Sequence, residues 1–219
     1  MNCRKRFVPF THCKVKLLHL SDTHGQHRKL GALPKADILV HSGDFLSDGR
    51  NQEELSDFLQ WLRALPYAHK VIVSGNHDLL MYRENFAEGL SDGTLHVLHN
   101  TSADIMGLKF HGLPMYIPDI RSGAYFRFIA DIPQDTDILV SHEPPLGILD
   151  RPKGQFLKPY PSHAELTKRV QEVRPRYHLF GHEHDAYGIL KQDGTVFSNA
   201  ALLDRHYVLQ RAPRLFIID

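Results

Sequence analysis

Lys16-Leu17-Leu18-His19-Leu20-Ser21-Asp22-Thr23-His24 joins an apolar run to a cluster of metal-type donors. The same pattern recurs along the chain. Ala36-Asp37-Ile38-Leu39-Val40 leads to Gly43-Asp44, and Val71-Ile72-Val73 leads to Gly75-Asn76-His77-Asp78. Asp137-Ile138-Leu139-Val140 leads to Ser141-His142, and Tyr177-His178-Leu179-Phe180 leads to Gly181-His182-Glu183-His184. Short runs rich in Val, Ile and Leu, bounded by turn residues, read as buried strands. In open α/β sheets the carboxyl ends of the strands face the ligand crevice. These strand ends are therefore expected to bring Asp, His and Asn side chains to one place and form a metal site.

Two helices are expected between the strands. Leu55, Phe58, Leu59, Leu62 and Leu65 recur at helical spacing, Asn51 with Glu54 resembles a capping box, and Pro66 ends the helix. A second helix is expected from about Ser162 to Val173. Ser162 with Glu165 is its capping box, Leu166, Val170 and Val173 its stripe, and Pro175 its stop. Residues 94–132 read as a second sheet, mixed or antiparallel, with strands at Leu95-His96-Val97-Leu98, Ala103-Asp104-Ile105 and Leu108-Lys109-Phe110. Thr195 to Ser198 and Leu215 to Ile218 add two more strands. Strands arriving in two sets with helices between them predict an α/β fold, a two-sheet sandwich flanked by helices. Residues 1–219 read as a single domain with residues 1–14 as an N-terminal extension.

Composition narrows the partners. The 219 residues carry 26 basic and 25 acidic side chains, a net charge of +1. That balance gives no electrostatic case for nucleic acid or a membrane surface. The basic start, Met1 to Lys14, lacks the apolar stretch of a signal peptide. No apolar run approaches the ~18–20 residues that span a bilayer. Cys3 and Cys13 lie away from the polar clusters and could pair, although two free thiols are the simpler reading; with no targeting signal read, a cytoplasmic location is expected.

The spacing inside the clusters carries chemistry. Asp22 and His24 are two apart, as are His182 and His184, and on extended backbone such pairs share a face. Gly43 lets the backbone approach closely beside Asp44. Carboxylate and imidazole together suit Zn, Mn, Fe or Ni. Asp22, His24, Asp44, Asn76, His77, Asp78, His142, His182 and His184 are too many donors for one tetrahedral ion. They suffice for two ions ~3.5–4 Å apart with a bridging carboxylate. The chain has 16 histidines, and His19, His41, His69, His111 and His178 are read as core or surface residues without a site role.

The ordered set D-x-H, GD, GNH-[D/E], H, GH-x-H resembles the calcineurin-like metallophosphoesterase superfamily, from Leu17 to about Asp185. Ser21-Asp22-Thr23-His24-Gly25, Ser141-His142-Glu143-Pro144-Pro145-Leu146-Gly147 and Asn199-Ala200 resemble its class III cyclic-nucleotide-phosphodiesterase-like branch. Glu143 is a departure, since that branch usually has Gly there. The resemblance implies a four-layer α-β-β-α sandwich of two mixed sheets. It implies that Asp22, His24 and His184 bind one divalent metal, that Asn76, His142 and His182 bind a second, and that Asp44 bridges both. It implies that His77 faces the leaving group and is oriented by Asp78.

The reaction so implied is in-line attack of a metal-bridging hydroxide on a phosphate ester, with His77 protonating the leaving oxygen. Ser74 precedes Gly75 and Phe45-Leu46-Ser47 follows Asp44, so the arginines of the protein-phosphatase branch are missing. A small phosphodiester, such as a cyclic nucleotide, is then the expected substrate. A phosphomonoesterase, a nuclease of the same superfamily and a non-catalytic metal-binding scaffold are the alternatives. The aromatic segment Leu113-Pro114-Met115-Tyr116-Ile117-Pro118, continuing to Tyr125-Phe126, is a candidate pocket wall. Tyr116 joins Asn76 and His77 there as a candidate substrate contact. Packing of the second sheet by the same aromatics is an equal reading.

Overall fold

A computed structural model describes residues 14–82, 89–150 and 161–219. Cys3 and Cys13 lie outside the described residues. The strands in chain order are β1 (Val15–Leu20), β2 (Ile38–His41), β3 (His69–Ile72), β4 (Leu95–Val97), β5 (Thr101–Ile105), β6 (Leu108–Leu113), β7 (Ile138–Ser141), β8 (Tyr177–Phe180), β9 (Gly188–Gln192), β10 (Thr195–Asn199) and β11 (Arg214–Ile218). The helices are α1 (Gln52–Ala64), α2 (Ile117–Ser122), α3 (Ala124–Ala130) and α4 (Pro161–Val173).

Two mixed sheets result. One runs β11-β1-β2-β3-β4 and the other β5-β6-β7-β8-β10-β9. In the first, β1 to β4 are parallel and β11 is antiparallel to β1. In the second, β6, β7, β8 and β10 are parallel, and the edges β5 and β9 are antiparallel.

Alternation along the strands explains the layers. Leu17, Ile38, Val40, Val71 and Val73 join Phe110, Ile138, Val140 and Leu179 in the core between the sheets. Their neighbours Leu18, Leu20, Leu39 and Ile72 face outward and pack on Leu55, Phe58, Leu59 and Leu62 of α1. On the far side, Leu113, Leu139, Phe180 and Phe197 pack on Tyr125 and Ile129 of α3 and on Leu166, Val170 and Val173 of α4. A central strand buried on both faces needs apolar residues at every position, so it appears as a continuous run.

Three expectations shift. Leu95–Val97 joins the first sheet, parallel to β3, because Leu95 and Val97 fill the layer under α1. Residues 117–130 are helical rather than stranded, in two short helices that meet at Gly123, whose φ is 78°. The second capping box does not form: α4 starts at Pro161, so Ser162 is already inside the helix, and its hydroxyl donates to Glu143 Oε1 at 2.9 Å. The first box forms in part. Asn51 accepts from the N–H groups of Glu53 and Glu54, but the Glu54 carboxylate turns to the N–H and hydroxyl of Ser47.

Candidate metal centre

The five motif strands end on one side of the sandwich, β1, β2 and β3 from one sheet and β7 and β8 from the other. The chain leaves these strands through strained backbone. Asp22, His24, Asp44 and His182 all have left-handed φ, at 54°, 40°, 54° and 68°. Such conformations cost about 1–3 kcal/mol each and persist only where the surroundings impose them. Here they turn donor side chains inward. Two glycines make room for the carboxylates: a Cβ on Gly75 would collide with Asp44 Oδ1, and one on Gly181 with Asp22 Oδ2.

Among the described residues, three groups have donor atoms mutually close enough to share an ion: Asp22, His24 and His184; His24, Asp44 and His77; and Asp44, His142 and His182. His24 Nε2 lies 3.2 Å from His184 Nε2, and His184 Nε2 lies 3.5 Å from Asp22 Oδ1. Asp44 Oδ2 lies 3.3 Å from His142 Nε2 and 3.7 Å from His24 Nε2, so it stands between the first and last groups. The His182 ring lies 5.1 Å from that of His142, and its backbone N–H donates to Asp22. Asn76 sits between Gly75, packed on Asp44, and His77, whose N–H donates to Asp44 Oδ1 at 2.8 Å.

Backbone carbonyls set the imidazole tautomers. Nδ1 of His142 donates to the Ser42 carbonyl at 2.9 Å, Nδ1 of His184 to Asp204 at 2.8 Å, and Nδ1 of His77 to Ser47 at 2.7 Å. A carbonyl only accepts, so Nδ1 carries the proton and Nε2 is left to point into the site.

The electrostatics match a cation. Burial raises the Asp22 carboxyl, but the hydrogen bond from His184 and the charges of His142, His184 and His24 outweigh it and hold it well below the usual range. Burial likewise raises Asp44, and His142 brings it down to about 2. Burial lowers His142, yet Asp44 lifts it to about 10. Burial takes His182 down to about 4. The buried Asn76 Oδ1 has no hydrogen-bond partner among the described residues, while His142 Nε2 meets only Asp44 Oδ2, at 3.3 Å. Buried polar atoms are normally satisfied, and a divalent ion would satisfy Asn76 Oδ1 along with the converging carboxylates and imidazoles. The residues present therefore fit a divalent metal.

Two site expectations change. Asp78 does not touch His77. It is fully buried, and its carboxylate accepts from the N–H groups of Asp44 (2.8 Å), Gly75 (2.7 Å) and Leu46 (3.0 Å). The Ser47 carbonyl orients His77 instead. Tyr116 is fully buried against Tyr82 and His99, in the layer under α1, and has no face open to a ligand. The departure at Glu143 is absorbed by packing: its buried carboxylate takes the Ser162 hydroxyl and lies 2.8 Å from His163 Nε2, tying α4 to the His142 loop.

Other residues at the centre carry no motif. Arg211 binds the carbonyls of His184, Ala201 and Leu203, bracing the His184 loop. Tyr207 places its ring 4.8 Å from that of His24 and 5.2 Å from that of His184. The one sequence cue for this region is Asp204, a turn-forming type, whose Oδ1 accepts from His206 and Val208.

Comparison with known proteins identifies the family and the fold. The family described as calcineurin-like phosphoesterase matches residues 15–186. A UPF0046 protein of Caenorhabditis elegans is 33% identical over 226 residues, spanning 93% of this chain and 75% of its own. Human metallophosphoesterase domain-containing protein 1 is 28% identical, spanning 88% of this chain and 68% of its own. The crystal structure of TT1561 of Thermus thermophilus superposes with a TM-score of 0.62 at 13% identity, over 94% of this chain and 100% of that one, a likeness of fold.

Proposed function

The chain belongs to the calcineurin-like phosphoesterase family, and from that premise we propose that it hydrolyses a small phosphodiester, with cyclic nucleotides as the leading class, at a centre of two divalent ions. The observation that carries this reading is the position of Asp44, whose Oδ2 reaches toward His142 on one side and His24 on the other.

Asp22, His24 and His184 would hold one ion, Asn76, His142 and His182 the other, and Asp44 would be shared. The unpartnered Asn76 Oδ1, and His142 Nε2 facing Asp44 Oδ2, support their place in that set. Two ions of the Mn, Fe, Zn or Ni kind, when bound, supply Lewis acidity toward phosphoryl oxygens and activate water. The remaining work falls to the chain. His77 is held by the Ser47 carbonyl through Nδ1, so Nε2 is the atom turned to the site, and as imidazolium it would offer its proton to the departing oxygen. Asp78 fixes the backbone of Asp44, Leu46 and Gly75, and so sets the spacing of the two halves of the site.

The experiment is a panel of phosphomonoesters, linear diesters and cyclic nucleotides. It is run on protein stripped with chelator and reloaded with Mn, Fe, Zn or Ni. Metal-dependent turnover that favours diesters is expected. A fully loaded protein that turns over no ester would sink the enzyme reading and leave a metal-binding scaffold.

A further inference from the structure

Tyr207 stands at the open edge of the centre. Its ring meets His24 edge-on at 79° and leans on His184 at 67°, while the ring of His77 meets His24 from another side at 88°. His24 is buried, but Tyr207 is 49% exposed and the next residue, Val208, 50%. A half-exposed aromatic ring thus borders a cluster of carboxylates and imidazoles.

The backbone holds the ring there. Tyr207 has a left-handed φ of 59°, uncommon for a bulky residue. Its N–H donates to the Asp204 carbonyl at 2.9 Å, the same carbonyl that takes His184 Nδ1. Its own carbonyl accepts from Gln26 Nε2 at 3.0 Å, on the loop that follows His24. The turn that fixes the tautomer of His184 therefore also fixes Tyr207.

We infer that Tyr207 is a substrate-positioning residue that stacks on an aromatic or heteroaromatic group of the phosphate ester, an inference that rests on the phosphoesterase reading of this site. Tyr207 is the half-exposed ring that borders His24 and His184, so an ester substituent of a phosphoryl group held there would have that ring beside it. A flat substituent gains stacking on that ring; a methyl group does not. The aromatic wall expected at Tyr116 thus belongs to Tyr207, outside the motif segments.

The test uses Mn-loaded full-length protein and two inert probes, phenylphosphonate and methylphosphonate, with binding measured by calorimetry and metal content measured on every sample. Tyr207→Leu keeps an apolar side chain without the ring, and Tyr207→Phe keeps the ring without the hydroxyl. Base-type stacking on an aromatic side chain is worth enough that Tyr207→Leu should weaken phenylphosphonate about tenfold and leave methylphosphonate within about twofold. Tyr207→Phe should bind both like the parent. In turnover, Tyr207→Leu should raise KM for aryl esters with kcat held. Equal weakening of both probes, or lost metal, in Tyr207→Leu would make the residue a support for His24 and His184 and overturn the inference. If the metal-loaded parent binds neither phosphonate, the phosphoesterase reading itself fails and this inference with it.

Discussion

Inside the strands, His19, His41 and His178 meet hydroxyls; at the strand ends, His24, His142 and His184 meet carboxylates. His19 lies between Ser42 and Ser198, His41 beside Thr23, and His178 beside Ser141. Burial drives each of these down to about 3, so they stay neutral. His142 is buried as deeply, yet Asp44 lifts it to about 10. The same side chain at the same depth is a neutral core residue in one region and part of a charged cluster in the other. For His142 and His184 the neighbouring carboxylates outweigh burial, whereas His182 at the same centre is taken down to about 4 by burial, as the strand histidines are.

The sharpest test of that contrast removes the neighbour. Asp44→Asn should lose both ions, because its Oδ2 faces donors on either side. His24→Ala should lose occupancy on one side only. Loss of an outer-shell partner costs ~10–100-fold, and Asp44→Asn should cost more activity than that. Metal stoichiometry of the two variants decides; equal ion counts would count against a shared Asp44.

Asp78 and His77 are adjacent and should separate cleanly. Asp78→Ala leaves three buried N–H groups without an acceptor. Each unsatisfied group costs about 1–3 kcal/mol, so a stability loss of about 3 kcal/mol or more is expected by denaturant titration. His77→Ala should keep its stability and both ions but lose ~10²–10⁴-fold in kcat, mostly on esters with an alkoxide leaving group. A thermodynamically silent Asp78→Ala with His77-like kinetics would restore Asp78 as the partner of His77.

How much of this is legible in the chain follows from the same contrast. The strand-end clusters and the core strands are readable because a strand buried on both faces is apolar at every position, and a strand end is where polarity resumes. The stripe of α1 is readable for the matching reason. β9 escapes a reading by apolar runs: it is an edge strand whose Lys191 and Gln192 face solvent, although Asp193-Gly194, with φ 50° and 89°, is a hairpin signal. The allegiance of β4 to the first sheet is decided by pairing with β3, which no local pattern encodes. Asp78 suggests a His77 partner because it is next in sequence, yet adjacent side chains diverge and its carboxylate folds back onto three amides. Tyr116 and Tyr207 are both tyrosines in irregular segments; only packing distinguishes the buried one from the one at the site.

The interior histidines supply the smallest and most separable effect. Ser141 Oγ donates to the Glu143 carbonyl at 2.7 Å, so it accepts from His178 Nε2, and the proton of the neutral ring sits on Nε2. His178 Nδ1 is buried with no partner among the described residues. Protonating it would place a charge where nothing accepts it, which is why burial takes the group from the usual 6.5 to about 3. A folded-state value below the unfolded one means that the unfolded chain binds the proton first. The stability contributed by keeping His178 neutral is complete above pH 6.5 and is lost progressively as pH falls from there toward 3. Each such group costs about 1.4 kcal/mol per pH unit inside that window. Urea titrations of chelator-treated protein between about pH 6 and pH 4 should therefore show stability falling with acid. His178→Gln cannot take up the proton, so its slope should be shallower by about 1.4 kcal/mol per pH unit, from whatever stability it starts. Groups that the substitution does not touch contribute equally to both slopes and cancel in the difference. Parallel slopes would mean that His178 is not held neutral by its surroundings, and the contrast between the two regions would then rest on the strand ends alone.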